Sequence, residues 1–100
     1  MRFGASGGGA VALKKISTTQ RATGAGYYAT RNGNTVLVEI TNWSGETITL
    51  PWVPAYQARA TLFQIGSGSP ARCIAAPDGT LKAHDTSGTG SLFGQITYLT

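Results

Sequence analysis

The chain has 100 residues, of which 41% are hydrophobic and 12% are charged, and this length supports one hydrophobic core and one domain. Eight Lys and Arg residues against four Asp and Glu residues give a net charge of +4, and no apolar run approaches the ~20 residues that a membrane-spanning helix needs. The 14 glycines, together with many threonines, favour strands joined by tight turns over helices. Composition therefore predicts a single all-β domain that does not insert into a membrane.

The first 26 residues are predicted to form a flexible basic arm. Residues 4–10 are Gly, Ser and Ala, a composition that stays flexible unless a partner orders it. The start of the chain lacks the apolar stretch of a secretion signal, so we expect none. Residues 11–16 can form a short strand that adds to the edge of a neighbouring sheet, while the basic side chains meet an acidic surface. The residues expected to attach the arm to a partner protein are Arg2, Val11, Leu13, Lys14, Lys15 and Ile16.

The clearest turn signal is the Asn32-Gly33 pair, which lies between two runs of strand-forming residues. Asn-Gly is typical of two-residue hairpin turns, because both central positions of such a turn need positive φ angles. We therefore predict a hairpin of strands 27–30 and 35–41. In its second strand Val36, Val38 and Ile40 share one face, which we expect to be core.

A proline-rich segment interrupts the pattern of strands. Pro51 and Pro54 lack backbone N–H donors, so residues 50–56 are predicted to form an extended crossover rather than a central strand. Trp52 and Tyr56 lie in this crossover, and we expect their side chains to be buried in the core rather than to form a surface contact. Strands are predicted on either side of the crossover, at residues 46–50, 59–65, 71–76, 80–84 and 92–99. Pro77-Asp78-Gly79 predicts a second hairpin turn, between the strands 71–76 and 80–84.

Seven to eight short strands at this spacing are typical of an antiparallel β-sandwich of the jelly-roll or Greek-key type, which we expect over residues 27–100. Its small core and glycine-rich loops favour an oligomer. Alternation within each strand selects the side chains that point inward. The side chains predicted to be inside are Val36, Val38, Ile40, Leu62, Ile74, Leu81, Ile96 and Tyr98.

No catalytic residue, cofactor or metal ion is expected. Cys73 is the single cysteine, cannot form an intrachain disulfide, and is interpreted as a small buried hydrophobe. His84 and Asp85 are neighbours on a predicted strand, so they point to opposite faces and cannot act together in a catalytic triad. One Cys and one His also cannot supply the four ligands of a structural zinc site within one chain. We therefore do not expect an enzyme.

Aromatic and polar turn residues are the remaining candidates for ligand contact. Trp43 is expected at an exposed turn tip beside Asn42 and Ser44, where its ring can stack on a sugar or anchor a protein interface. Ser67 adds a hydroxyl from a glycine-rich turn. From Glu39 onward the basic and acidic residues nearly cancel, so we expect no strong basic face there and no nucleic acid among the partners.

Four short motifs follow one another along the last three quarters of the chain. They are Asn32-Gly33-Asn34-x-Val36-x-Val38, then Thr49-Leu50-Pro51 with Pro54 close behind, then Asp78-Gly79-Thr80-Leu81, and finally Gly94-Gln95-Ile96-Thr97-Tyr98-Leu99. This order resembles that of the C-terminal head domains of phage tail fibre and receptor-binding proteins. In that family an NG hairpin, an "LP…P" crossover, a DG hairpin and a "G-x-I-x-Y" strand occur in the same succession.

The resemblance implies a homotrimeric β-sandwich on a phage virion that binds a polysaccharide or protein of the host cell envelope. The contact residues would then be Trp43, Asn42, Ser44 and Ser67. An alternative is a capsid-decoration or accessory tail protein, which the N-terminal arm anchors to other virion proteins and which has no receptor role. In either case the protein is expected to be made in the host cytoplasm and to become part of the virion.

Overall fold

The computed structural model describes residues 19–84 and 91–100, and these residues form an all-β antiparallel fold. Eight strands lie side by side in the order β1-β2-β3-β8-β5-β6-β7-β4 and form one curled sheet. Their bounds are β1 Gln20–Gly24, β2 Tyr27–Asn32, β3 Thr35–Trp43, β4 Ile48–Thr49, β5 Ala58–Gln64, β6 Pro70–Ala75, β7 Thr80–His84 and β8 Leu92–Leu99. The predicted all-β class and strand number are confirmed. Hydrogen bonds join the strands into one continuous sheet, and the predicted sandwich of the jelly-roll or Greek-key type is not confirmed.

The inner face of the curled sheet carries the hydrophobic core. Seven of the eight side chains predicted to be inside are buried, but the prediction for Ile74 is wrong because Ile74 is only half-buried. In β6 the inward positions belong to Ala71, Cys73 and Ala75, so Ile74 points to the outer face. The buried hydrophobic residues are Ala29, Val36, Val38, Ile40, Trp43, Leu50, Leu62, Ala71, Cys73, Ala75, Leu81, Leu92, Ile96 and Tyr98.

Strand β1, at Gln20–Gly24, lies within residues 1–26, the segment for which the sequence predicts a flexible arm with a possible short strand. The strand pairs with β2 from Gln20 opposite Arg31 to Gly24 opposite Tyr27. Its side chains are small or polar and largely exposed, as expected of an edge strand that contributes backbone hydrogen bonds rather than core. The sequence of β1 therefore lacks the alternation of hydrophobic and polar residues from which a strand is predicted. The arm residues predicted to attach to a partner, from Arg2 to Ile16, lie outside the described residues.

Both predicted hairpin turns are formed. Asn32 pairs with Thr35, so the loop between β2 and β3 is Gly33-Asn34, one residue later than predicted, with Gly33 at a φ of +60°. At the second turn the Asp78 carboxylate accepts hydrogen bonds from the Thr80 backbone N–H (3.0 Å) and hydroxyl (2.6 Å). These bonds lower the pKa of Asp78.

The proline-rich crossover connects β4 to β5 across the end of the sheet where β8 finishes. The Ala55 backbone N–H donates to the Leu99 carbonyl (2.8 Å), and the Tyr98 hydroxyl donates to the Trp52 carbonyl (2.5 Å). Trp52 is half-buried, packs against the core, and has the Arg31 guanidinium 5.9 Å from its ring centroid. Tyr56, in contrast, is 73% exposed, so the prediction that it plugs the core is wrong. The described residues contain no helix with the length and apolarity needed to cross a lipid bilayer.

Replacing Tyr98 by Phe should change how stability depends on pH. Desolvation by burial raises the pKa of Tyr98 to about 12, although the nearby Arg31 acts in the opposite direction. A tyrosine in the unfolded chain ionises near pH ~10. The stabilising effect of keeping this hydroxyl neutral is therefore complete below pH ~10 and is lost as the pH rises from ~10 towards 12.

We expect the Tyr98→Phe variant to lose about 1 kcal/mol at pH ~7, because the Trp52 carbonyl loses its donor. Its stability should also fall less steeply than that of the natural protein above pH ~10. Urea unfolding followed by tryptophan fluorescence at a series of pH values measures both effects. Identical alkaline slopes for the two proteins would contradict the prediction.

Candidate functional site

The geometry of the candidate site begins with an irregularity in β3. Between Ile40, opposite Gly94, and Trp43, opposite Leu92, β3 advances three residues while β8 advances two. The extra residue is a β-bulge. On the other side of β3, the carbonyl oxygen of Gly26 accepts hydrogen bonds from the backbone N–H groups of Thr41 (2.9 Å) and Asn42 (3.3 Å). One carbonyl oxygen of the β1–β2 turn thus holds both residues of the bulge.

The bulge reverses the inward and outward phase of β3 and thereby buries Trp43. Strict alternation from Val36, Val38 and Ile40 would place Asn42 inward and Trp43 outward. With one extra residue, Asn42 is exposed and Trp43 is 2% exposed. Its indole Nε1–H donates to the backbone carbonyl of Glu46 (2.8 Å), which satisfies the buried donor. The prediction that Trp43 is an exposed contact residue is therefore wrong.

A cleft lies between the β1–β2 turn and the segment that leads from β3 to β4. Its volume is about 250 Å³. Many of its lining residues are small, and Tyr27, Ser44 and Glu46 are among the larger or polar ones. Ser44 and Glu46 are exposed, whereas Tyr27 is half-buried. The lining residues are Gly24, Ala25, Tyr27, Trp43, Ser44, Glu46, Thr47, Ile48 and Thr49.

Two glycines shape the turn that forms one side of this cleft. A Cβ atom on Gly24 would overlap the ring and hydroxyl of Tyr27, so the ring can lie over the turn only because Gly24 has no side chain. Gly26 has a φ of +83°, and a Cβ atom there would overlap the Asn42 carbonyl group and approach the Trp43 Cα to 2.9 Å. The absence of side chains at these two positions therefore permits both the aromatic wall and the bulge.

The structure brings together only part of the predicted contact set. Trp43 and Ser44 line the cleft, and the exposed Asn42 immediately precedes them. Ser67 belongs to the β5–β6 turn and is not among the lining residues, although the pairing of Trp43 with Leu92 and of Leu92 with Gln64 puts this turn at the same end of the sheet. Tyr27 and Glu46 were missed, because a half-buried strand tyrosine and a turn carboxylate carry no distinguishing sequence signal.

The hydroxyl of Ser67 is used within its own turn. Its Oγ accepts a hydrogen bond from the Ser69 backbone N–H (3.1 Å) and donates to the Gln64 Oε1 (3.5 Å). Gln64 is 5% exposed, and its Nε2 has no hydrogen-bond partner among the described residues. The arrangement holds the turn together rather than presenting a hydroxyl to a ligand.

The thiol of Cys73 is buried, and the ligand-type residues of the described part of the chain are scattered. Burial raises the pKa of Cys73 to about 12, so the thiol stays protonated at neutral pH. Across residues 19–84 and 91–100, no group of three or more His, Cys, Asp or Glu side chains is placed to hold a metal ion. Asp85, which follows His84 in the sequence, lies outside these ranges. The chemistry available in the cleft is hydrogen bonding and aromatic contact.

Comparison with known proteins finds no protein family, no curated protein and no solved structure that matches this chain.

Substituting Gly26 by Ala should destabilise the protein more than substituting Gly33 by Ala. Both glycines have positive φ angles, and a side chain in left-handed backbone costs about 1–2 kcal/mol in either place. A Cβ atom on Gly33 meets nothing within 4 Å, whereas on Gly26 it collides with the backbone of the bulge. We expect this overlap to add about 1–3 kcal/mol. Chemical denaturation of the two variants provides the comparison, and equal losses would show that the bulge does not depend on close approach at Gly26.

Proposed function

We propose that the chain is a bacteriophage virion protein, a homotrimeric receptor-binding module of the tail fibre or baseplate type, which binds a glycan of the host cell envelope in the cleft. The observation that carries the proposal is the composition of the cleft. Its volume is about 250 Å³, and its lining includes one acidic residue, the half-buried Tyr27 and several residues that carry hydroxyls. The resemblance of the four sequence motifs supplies the biological setting.

The motifs that carry the resemblance correspond to distinct elements of the fold. Gly33 and Gly79 have positive φ angles in the two hairpin turns. The segment from Leu50 to Pro54 is the crossover, in which both of these residues are buried. The last motif is β8, which pairs with β3 on one side and with β5 on the other. The motifs therefore mark two turns, a crossover and a strand of this fold, and function has to be argued from the site.

The cleft offers the groups that saccharide recognition uses. A sugar presents hydroxyls that donate to a carboxylate and that both donate to and accept from protein hydroxyls. Glu46 supplies the carboxylate, and Ser44, Thr47, Thr49 and Tyr27 supply hydroxyls. The ring of Tyr27 offers an aromatic surface for the apolar face of a sugar, a role that the buried Trp43 cannot fill. The volume suits one sugar ring rather than a larger ligand.

Binding of the purified protein to a printed array of bacterial envelope polysaccharides and to host cells tests the proposal. Glu46→Gln should weaken binding about tenfold, since a hydrogen bond to a charged group is worth roughly 1.5–3 kcal/mol. This variant keeps the Trp43 bond, which uses the Glu46 backbone carbonyl. Tyr27→Phe should weaken binding, whereas Tyr56→Phe, the same change at an exposed tyrosine outside the cleft, should not.

Several outcomes would contradict the proposal. Glu46→Gln and Tyr27→Phe variants that bind as well as the natural protein would exclude the cleft as the site. Retention on host cells without any polysaccharide binding would indicate a protein receptor. Stable association with phage particles, combined with no binding to cells or polysaccharides, would support the capsid-decoration or accessory tail role instead. Trp43→Ala is unsuitable for this test, because it would leave a cavity in the core.

A further inference from the structure

Two exposed aromatic rings lie side by side on the outer face of the sheet. Phe63 of β5 and Phe93 of β8 are directly opposite each other, with ring centroids 6.1 Å apart and ring planes tilted by 41°. They are 41% and 43% exposed, so a large part of each ring faces solvent. Ile65 and Pro70 beside them are also exposed. An exposed apolar cluster of this kind on a small domain is typical of an interaction surface.

Basic side chains occupy the same face of the neighbouring strands. Arg59 precedes Phe63 by four residues on β5, which places it on the same face about 13 Å away. Ile74 of β6 pairs with both Arg59 and Lys82, so two strand spacings, about 10 Å, separate these two exposed cations. We call Phe63, Phe93, Arg59 and Lys82 the outer basic face.

Positive charge predominates on this side of the sheet. Along the sequence the charges after residue 38 nearly cancel, and on that count no nucleic acid is expected. In the fold, however, Glu46 lines the cleft and the carboxylate of Asp78 is hydrogen-bonded within its own turn. Glu39 is the one acidic residue in the described strands, and it lies on the outer face. Arg21 and Arg72 share that face, although Arg72 already interacts within the chain.

We propose that the outer basic face binds single-stranded nucleic acid without sequence preference. Exposed rings on the surface of a sheet stack on unstacked bases while neighbouring cations attract the phosphates. Phe63 and Phe93 each stack on one base, and Arg59 and Lys82 contact the backbone of the strand. The separation of rings and cations suits such a ligand, since single-strand sites on β-domains cover about 4–16 nucleotides. This binding is independent of the receptor role, because none of the four residues lines the cleft.

A single strand fits this surface better than other anionic partners do. In a duplex the bases stack on each other and offer no free flat face to the two rings. A bound sugar needs polar groups placed for its hydroxyls, whereas phenylalanine has none and Ile65 and Pro70 beside the pair are apolar. An acidic polypeptide would complement Arg59 and Lys82 in charge without using two flat rings. Bases and phosphates together use both kinds of side chain.

The test is the fluorescence anisotropy of a labelled oligothymidylate of about eight nucleotides, titrated with the full chain at low salt. We expect binding to this probe and, with similar affinity, to an oligouridylate of the same length, because stacking and charge do not distinguish the two sugars. A duplex of the same length should bind about tenfold more weakly. The basic residues Arg2, Lys14 and Lys15 are the same in every variant, so differences between variants report the outer basic face.

Removing the two rings tests the stacking. The Phe63→Leu, Phe93→Leu double variant keeps apolar side chains at both positions, and we expect it to bind the oligothymidylate about tenfold more weakly. The matched control is Tyr56→Leu, which removes a 73% exposed ring outside the face and should leave the affinity unchanged. The emission of the buried Trp43 reports whether each variant is folded.

Removing single charges tests the phosphate contacts. Arg59→Gln and Lys82→Gln should each weaken binding and reduce the slope of log affinity against log salt by about 0.7, the value for one phosphate contact on a single strand. Arg21→Gln removes the same charge from a strand three places away from β8, and the slope should stay unchanged. Glu39→Gln should strengthen binding about threefold, because it removes repulsion of the phosphates.

Several results would overturn the proposal. One is no binding of either oligonucleotide at low salt, and another is unchanged affinity in the folded leucine double variant. Equally tight binding of dextran sulfate or polyglutamate, which are polyanions without bases, would assign the surface to an acidic polysaccharide or polypeptide instead. If the leucine double variant does not fold, the salt slopes decide, and equal slopes for Arg59→Gln, Lys82→Gln and Arg21→Gln overturn the proposal. Failure of the polysaccharide array alone would affect the receptor role and not this surface.

Discussion

The carbonyl oxygen of Gly26 accepts hydrogen bonds from two consecutive backbone N–H groups, those of Thr41 and Asn42. This shared acceptor holds the bulge in β3, and the bulge turns Trp43 into the core. With the indole buried and bonded to the Glu46 carbonyl, the segment from β3 to β4 is held against the core. The cleft is the space between that segment and the β1–β2 turn. The burial of Trp43 in the core and the shape of the cleft therefore both depend on Gly26, where a side chain would overlap the backbone of the bulge.

Most of the fold could be predicted from the sequence, because β3, β5, β7 and β8 show alternating apolar residues and because turn glycines mark the hairpins. The predicted bounds of β8, 92–99, agree with the structure. What failed has identifiable causes. A bulge adds one residue without any compositional signal, so the sequence predicts an exposed turn tip at Trp43, whereas β3 continues to Trp43 and buries it. An edge strand such as β1 buries little, so backbone pairing alone defines it. The cleft could not be predicted because its residues come from two turns that meet only when the sheet curls.

The distribution of charged residues in the fold also differs from what their order along the sequence predicts. Counted along the chain, the acids and bases after residue 38 nearly cancel. In the fold, Glu46 lines the cleft, Asp78 is used in a turn, and the outer face of the sheet presents Glu39 together with Arg21, Arg59, Arg72 and Lys82. Long-range attraction depends on such separation rather than on net charge. Different parts of one sheet therefore present different chemistry, with polar residues at the cleft and the exposed Phe63 and Phe93 on the outer face.

The central place of β8 has a consequence for how the protein is made. Strands β1 to β3 are consecutive and pair with each other, and so are β5 to β7, but β8 is the strand that joins the two groups. It is also the last of the eight to leave the ribosome. Until then the nascent chain holds two three-stranded pieces whose inner edges, β3 and β5, are unpaired and open to wrong partners. Translation that stops before residue 92 would leave both edges exposed, so the sheet can close only after β8 has been made.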